Sequence, residues 1–313
     1  MANIAILNYC NLDCPYCFAN KFITEEKKQL ITIEELDTIL NFLSHSDNIG
    51  RIGIIGGEPT IHPNFEEIFK KISKFANKNN TSTTTFSNGI ELYNYARLYD
   101  INNRVLINLN HPDIVGEEKW KKIILTLNTF KALNSLEYLT LGINLYPNII
   151  DYKYIIDVCK KYGLKKVRCS YVAPTCNYSN SNKEEYYKTA KTLFLNFVKD
   201  CNNANIEVHL DCNHIPLCYF SEEEKVLLNK SVSGWHSLCN PVVDITPDMK
   251  ATACFGAYDL IDLNQFDNIQ EAENYFLLKK MYPKRLLNSE GACKECKKFN
   301  NLSCQGGCLA FSK

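Results

Sequence analysis

Between Asn3 and Ser170 short apolar runs alternate with longer helical segments, and that alternation restricts the chain to an α/β fold. The runs expected as strands are Ile4–Leu7, Arg51–Ile55, Thr83–Ser87, Val105–Leu109, Leu139–Asn144 and Lys166–Ser170. Each is rich in Ile, Val, Leu or Thr and lies near Gly or Asn. The clearest helix begins at Thr32, where Thr32-Ile33-Glu34-Glu35 is a capping box ahead of Leu36, Ile39, Leu40 and Leu43 at helical spacing. Further helices are expected over Asn64–Asn77, Glu117–Leu133 and Tyr152–Tyr162, the last closed by Gly163. Strands joined through helices pair in parallel with right-handed crossovers, so six such units predict a partial (βα)6 barrel.

After Ser170 the character changes. A polar loop over Ala173–Asn182 leads to a helix near Lys183–Asn202, and from about Asn205 the chain reads as short strands, turns and cysteines. Val242–Ile245, Pro247-Asp248 and Ala251–Ala253 suggest a hairpin. Two domains are therefore expected, 1–204 and 205–313, the second with too little apolar periodicity to stand without metal.

Lys+Arg and Asp+Glu are both 35, so no net field favours nucleic acid or an anionic membrane as partner. No apolar run reaches the roughly 18 residues of a membrane span, and the start lacks a secretion signal. A cytoplasmic setting is expected. There, 15 cysteines read as metal or catalytic groups rather than disulfides.

The cysteines are unevenly placed: three within eight residues, none from Phe18 to Val158, and eight after Asp211. Cys10-x3-Cys14-x2-Cys17 follows the first strand, at the strand end where α/β barrels gather their active sites. Three thiolates can hold three irons of a [4Fe–4S] cube and leave the fourth open. Spacing alone also fits zinc, or an electron-transfer cluster with a distant fourth ligand. Gly56-Gly57-Glu58-Pro59 follows the second strand; two glycines admit a ligand close to the main chain, and a carboxylate suits an ammonium. Ser87, Asn88, Asn108, Asn110 and Asn144 lie at later strand ends, and Arg168 in the sixth strand offers a fork for a carboxylate. Singly, each is also an ordinary turn or surface residue. Cys159, Cys169, Cys176 and Cys201 read as buried or incidental thiols.

The segment Tyr9-Cys10-Asn11-Leu12-Asp13-Cys14-Pro15-Tyr16-Cys17 resembles the cysteine signature of the radical SAM superfamily, with Tyr16 in its aromatic position. Gly56-Gly57-Glu58-Pro59-Thr60 resembles that family's second motif. The resemblance implies a [4Fe–4S] cluster on Cys10, Cys14 and Cys17 with S-adenosylmethionine (SAM), held through Tyr16, Gly56–Pro59 and the polar strand ends. It implies reductive cleavage of SAM to a 5′-deoxyadenosyl radical, and an electron donor such as flavodoxin or ferredoxin.

Cys293-x2-Cys296-x7-Cys304-x3-Cys308, with Cys239-x14-Cys254 and Cys212-x5-Cys218, resembles the SPASM extension, which holds one or two auxiliary [4Fe–4S] clusters. The usual cysteine beyond Cys308 is missing, so Cys212 or Cys218 supplies an eighth ligand, or one iron stays open. Phe255 stands where sulfatase-maturing relatives carry an aspartate, against formylglycine formation. By resemblance the substrate is a residue of a ribosomally made peptide; a small metabolite is the alternative, and a non-enzymatic iron–sulfur or zinc protein a third. No leader-binding domain fits before Cys10, and no acid or base stands out; Asp211, Asp244 and Asp259 are candidates only by being nearby.

Overall fold

The computed structural model describes residues 1–17, 19–20, 22–23, 28–146, 151–172, 182–212, 215–235, 238–287 and 293–311. Cys176, the side chain of Cys212 and the polar loop expected over 173–182, except Asn182, lie outside the described residues. The strands in chain order are β1 Ala2–Ala5, β2 Ile52–Ile55, β3 Thr83–Ser87, β4 Asn103–Asn108, β5 Leu139–Leu145, β6 Lys166–Tyr171, β7 Glu207–Cys212, β8 Val232–Ser233, β9 Val243–Ile245, β10 Lys250–Thr252 and β11 Ile261–Asp262. Among the helices are α1 Ile33–Ser44, α2 Phe65–Lys78, α3 Pro112–Val115, α4 Glu117–Ala132, α5 Lys153–Tyr162 and α6 Lys183–Asn203. The chain divides into two compact units.

The first unit is Met1–Cys14, Ala19–Thr140 and Pro241–Leu277. Its sheet runs β11-β10-β9-β1-β2-β3-β4. From β9 to β4 every neighbouring pair is parallel, so the C-terminal ends of β1 to β4 share one edge. Thr32 begins α1 as the capping box predicts: its hydroxyl accepts from Glu35 N (3.1 Å) and its own N–H donates to Glu35 Oε2 (2.7 Å). Leu36, Ile39, Leu40 and Leu43 then go to the core, as do Phe65, Ile68, Phe69 and Ile72 of α2.

Two features of the first unit were not foreseen from the sequence. No α-helix follows β3; residues 92–94 and 96–98 form 3-10 turns, too short a stretch before Asp100 caps the turn into β4. The hairpin β9–β10 joins the sheet of the first unit: β9 lies beside β1, pairing Asn3 with Asp244 in parallel register.

The second unit is Pro15–Phe18, Leu141–Asn240 and Leu278–Lys313. Its strands run β5-β6-β7-β8, all parallel, with Asn144 opposite Ser170 and Arg168 opposite His209. Gly163 ends α5 in the left-handed region at φ 71°, the C-cap its position implied. No described helix is long and apolar enough to cross a membrane.

Candidate functional site

In the first unit, β1 exits toward Cys10 alongside the exit of β2. A Cβ on Gly57 would stand 1.9 Å from Tyr9 O, and one on Gly56 2.7 Å from Leu7 O. The close approach that these glycines permit is therefore the chain's own: Gly57 N–H donates to Leu7 O and Glu58 N–H to Tyr9 O, each at 3.1 Å. Asn8 anchors the same exit, accepting from Gln29 N at 2.7 Å. The Cys10 sulfur has amide donors aimed at it, Leu12 N at 3.4 Å and Asn88 Nδ2 at 3.9 Å. The same sulfur lies 3.9 Å from an acceptor, Asn11 Oδ1.

Glu58 is 1% exposed. Its Oε1 accepts from Thr60 N (3.1 Å), Thr60 Oγ1 (2.5 Å) and Ser87 Oγ (2.8 Å), and its Oε2 from Asn88 N (2.6 Å). Burial pushes this carboxyl above its usual range, opposed by those hydrogen bonds. Asn88 passes the connection on: its Nδ2 donates to Asn11 Oδ1 at 2.6 Å, and Asn11 O accepts from Lys119 Nζ at 2.8 Å. Asn110 Nδ2 lies 3.4 Å from Asn108 O, while Asn108 Oδ1 is buried with no hydrogen-bond partner among the described residues.

In the second unit, Tyr16 packs on Tyr146, with ring centroids 4.9 Å apart. The Arg168 fork is already occupied: Nε donates to Asp211 Oδ2 at 3.0 Å, a second guanidinium nitrogen pairs with the same carboxylate, and Nη1 reaches Asn144 Oδ1 at 3.2 Å. Ser170 Oγ donates to that Asn144 oxygen at 2.6 Å. Asp211 is thus an ion-pair partner. Asp259 is exposed. Asp244 is buried, takes a 2.6 Å bond from Asn3 Nδ2, and burial raises its carboxyl to about 7.

The cysteine-rich end of the second unit is organised by two residues that the sequence does not advertise. Buried Gln305 accepts from Cys239 N (2.6 Å), and its Nε2 donates to Cys239 Sγ and to Gly307 O, both at 3.0 Å. Tyr187 accepts from Cys308 N at 2.9 Å. Burial raises the Cys218 thiol, and the charges of Cys304, Cys293 and Cys296 raise it further; burial raises Cys293, with Cys304 and Cys296 adding to it. Cys159, Cys169 and Cys201 are instead buried core thiols. In the first unit, Phe255 stacks on Phe22 at 4.7 Å, an aromatic wall where an acid–base group was excluded by sequence.

Among the described residues no group of three or more His, Cys, Asp or Glu side chains is arranged to hold a metal ion. The ligand sets rest on spacing and donor chemistry. That chemistry suits an iron–sulfur cluster with a polar cosubstrate: soft thiolates with amide donors at the sulfur, and an orphaned acceptor at Asn108 that a ligand hydroxyl can satisfy. Asn11 and Thr60 lie inside the two motifs, but the sequence assigns neither a role of its own; their hydrogen bonds to Asn88 and Glu58 supply one.

Residues 4–151 match the radical SAM superfamily. Among curated relatives, a GTP 3′,8-cyclase of Rhizobium etli is 28% identical over 122 residues, 38% of this chain and 34% of its own length. The chain thus aligns with about a third of that relative. A probable GTP 3′,8-cyclase of Methanocaldococcus jannaschii is 27% identical over 251 residues, 69% of this chain and 80% of its own. In fold the chain is similar to Streptococcus suis SuiB bound to precursor peptide SuiA, with TM-score 0.65, 13% identity, and coverage of 99% of this chain and 71% of SuiB. It is likewise similar to anSMEcpe with bound AdoMet and Cp18Cys peptide, with TM-score 0.68, 19% identity, and coverage of 98% and 88%.

Proposed function

Since residues 4–151 match the radical SAM superfamily, we propose that the chain is a radical SAM enzyme that abstracts hydrogen from a residue of a ribosomally made peptide, forming a cross-link or another oxidised product. The likeness in fold over 98–99% of the chain to two enzymes solved with peptides carries this reading, because it takes in the cysteine-rich end as well as the strands. When bound, the cluster and SAM supply a 5′-deoxyadenosyl radical able to attack an unreactive carbon. The protein's share is to hold, orient and shield.

Cys10, Cys14 and Cys17 are the ligands for that cluster, with Leu12 N–H and Asn88 Nδ2 beside the Cys10 sulfur. Backbone of Gly56–Pro59 serves the SAM amino group; Tyr16, Ser87, Asn88, Asn108, Asn110, Asn144 and Arg168 line its remaining polar groups, with Asn108 Oδ1 the acceptor for a hydroxyl. Arg168 serves a carboxylate only by giving up part of its bond to Asp211. The proposed division is a core of 1–204 and an auxiliary-cluster extension of 205–313 carrying Cys212, Cys218, Cys239, Cys254, Cys293, Cys296, Cys304 and Cys308. A flavodoxin- or ferredoxin-type donor supplies the electron.

The curated relatives favour a second reading, a small-molecule substrate of the GTP type. Incubating the reconstituted, reduced enzyme with SAM and either GTP or a candidate precursor peptide separates the two. The peptide reading predicts that the peptide loses hydrogen, by mass, and GTP stays intact; GTP consumption with an unmodified peptide would reverse the order.

A further inference from the structure

We propose that Glu58 is a positioning residue: its carboxylate ties the turn after β2 to the turn after β3, and through Asn88 to the Cys10 loop, and it does not itself bind the ammonium of SAM. This deepens the radical SAM reading and rests on it. Both carboxylate oxygens already have protein donors, four bonds from Thr60, Ser87 and Asn88 between 2.5 and 3.1 Å. With the residue 1% exposed, a ligand cation reaches it only by displacing those donors, two of which are backbone N–H groups with fixed directions. The charge is met by these N–H and O–H dipoles, without a cation.

What the carboxylate holds is itself saturated. Ser87 Oγ donates to Glu58 and accepts from Gly89 N at 3.0 Å. Asn88 uses its N–H on Glu58 and its Oδ1 on Ile90 N (3.0 Å), which leaves Nδ2 aimed at Asn11 Oδ1 (2.6 Å) and Cys10 Sγ (3.9 Å). The rotamer of Asn88 is thus fixed from both sides. A shift at Glu58 moves the donor that faces the first cysteine of the triad.

In Glu58→Gln one end of the amide presents N–H to a backbone N–H, either Thr60 or Asn88, and that bond is lost. The test uses reconstituted wild type, Glu58→Gln, Asn88→Ala and the double variant. Two quantities are read: the electron paramagnetic resonance of the reduced cluster without SAM, and binding of SAM beside its analogue lacking the α-amino group. We expect Glu58→Gln and Asn88→Ala each to shift the SAM-free spectrum. We expect Glu58→Gln to weaken both ligands about equally, by about tenfold, so that their ratio stays as in wild type. The double variant should be little worse than the worse single one, as coupled residues are not additive.

An unchanged SAM-free spectrum in Glu58→Gln, with the preference for the amino group lost, would overturn the proposal. If Glu58→Gln does not load iron, Ser87→Ala removes one donor and is read by the same two criteria. A wild type that loads iron but binds no SAM would overturn the radical SAM reading itself.

Discussion

Asp244 carries the clearest residue-level consequence. Its carboxyl, 8% exposed with one bond from Asn3, titrates at about 7 against an ordinary value of 3.8. A folded-state value above the unfolded one means that the native protein holds the proton more tightly. Stability is therefore full below the unfolded value and is lost as pH rises through about 7. The shift corresponds to about 4 kcal/mol as an upper bound. Denaturant unfolding under nitrogen between pH 5 and pH 8 should show wild type weakening with pH and Asp244→Asn with a shallower slope; parallel slopes would contradict the assignment. Gly57 makes a second prediction. A methyl there meets Tyr9 O at 1.9 Å, with backbone on both sides and no flexible side chain to yield. Gly57→Ala should cost several kcal/mol, in the range of overpacked cores, and separate the β1 and β2 exits. Iron content and SAM affinity should fall together.

At the scale of elements, α5, β6 and α6 carry Cys159, Cys169 and Cys201, all at most 1% exposed. Burial pushes Cys159 and Cys201 up to about 12 and Cys169 higher still, so almost no thiolate exists to react. Native protein treated with iodoacetamide and read by mass spectrometry should leave these three unlabelled until denaturant is added. The last loop is held differently. Tyr187 accepts from Cys308 N, and a Cβ on Gly307, at φ 111°, would stand 2.0 Å from the Tyr187 hydroxyl. Gly307→Ala should loosen that loop and lower total iron while leaving SAM cleavage largely in place. Loss of cleavage with iron retained would contradict it.

Which elements were legible follows from where their signals lie. Thr32 and Glu35 are three residues apart, so a local pattern suffices for α1; β3 was expected over its observed range because Thr83–Ser87 is β-branched and bounded by Asn88-Gly89. The pairing of β9 with β1 joins residues some 240 positions apart, and no local pattern encodes it. The helix at Glu222–Ser231 was readable but missed: Ser221 and Glu224 form a second capping box. At the site, the cysteine spacing and glycine pair were visible, whereas two of Glu58's four bonds, those from Ser87 and Asn88, depend on β3 lying beside β2. The engagement of Arg168 by Asp211 likewise needs β6 beside β7.

For the whole molecule two proposals are separable, a reactive cluster on Cys10, Cys14 and Cys17 and auxiliary clusters on the later cysteines. Iron and sulfide per chain distinguish the totals, with about twelve irons for three cubes. Cys296→Ala should lower iron yet keep some SAM cleavage, while product formation fails. The reactive cluster is the central claim, and 5′-deoxyadenosine tests it most directly. Anaerobically reconstituted wild type, reduced with dithionite and given SAM, should release 5′-deoxyadenosine, and Cys14→Ala should release none. Fully iron-loaded wild type that releases none, or Cys14→Ala that still does, would contradict the account.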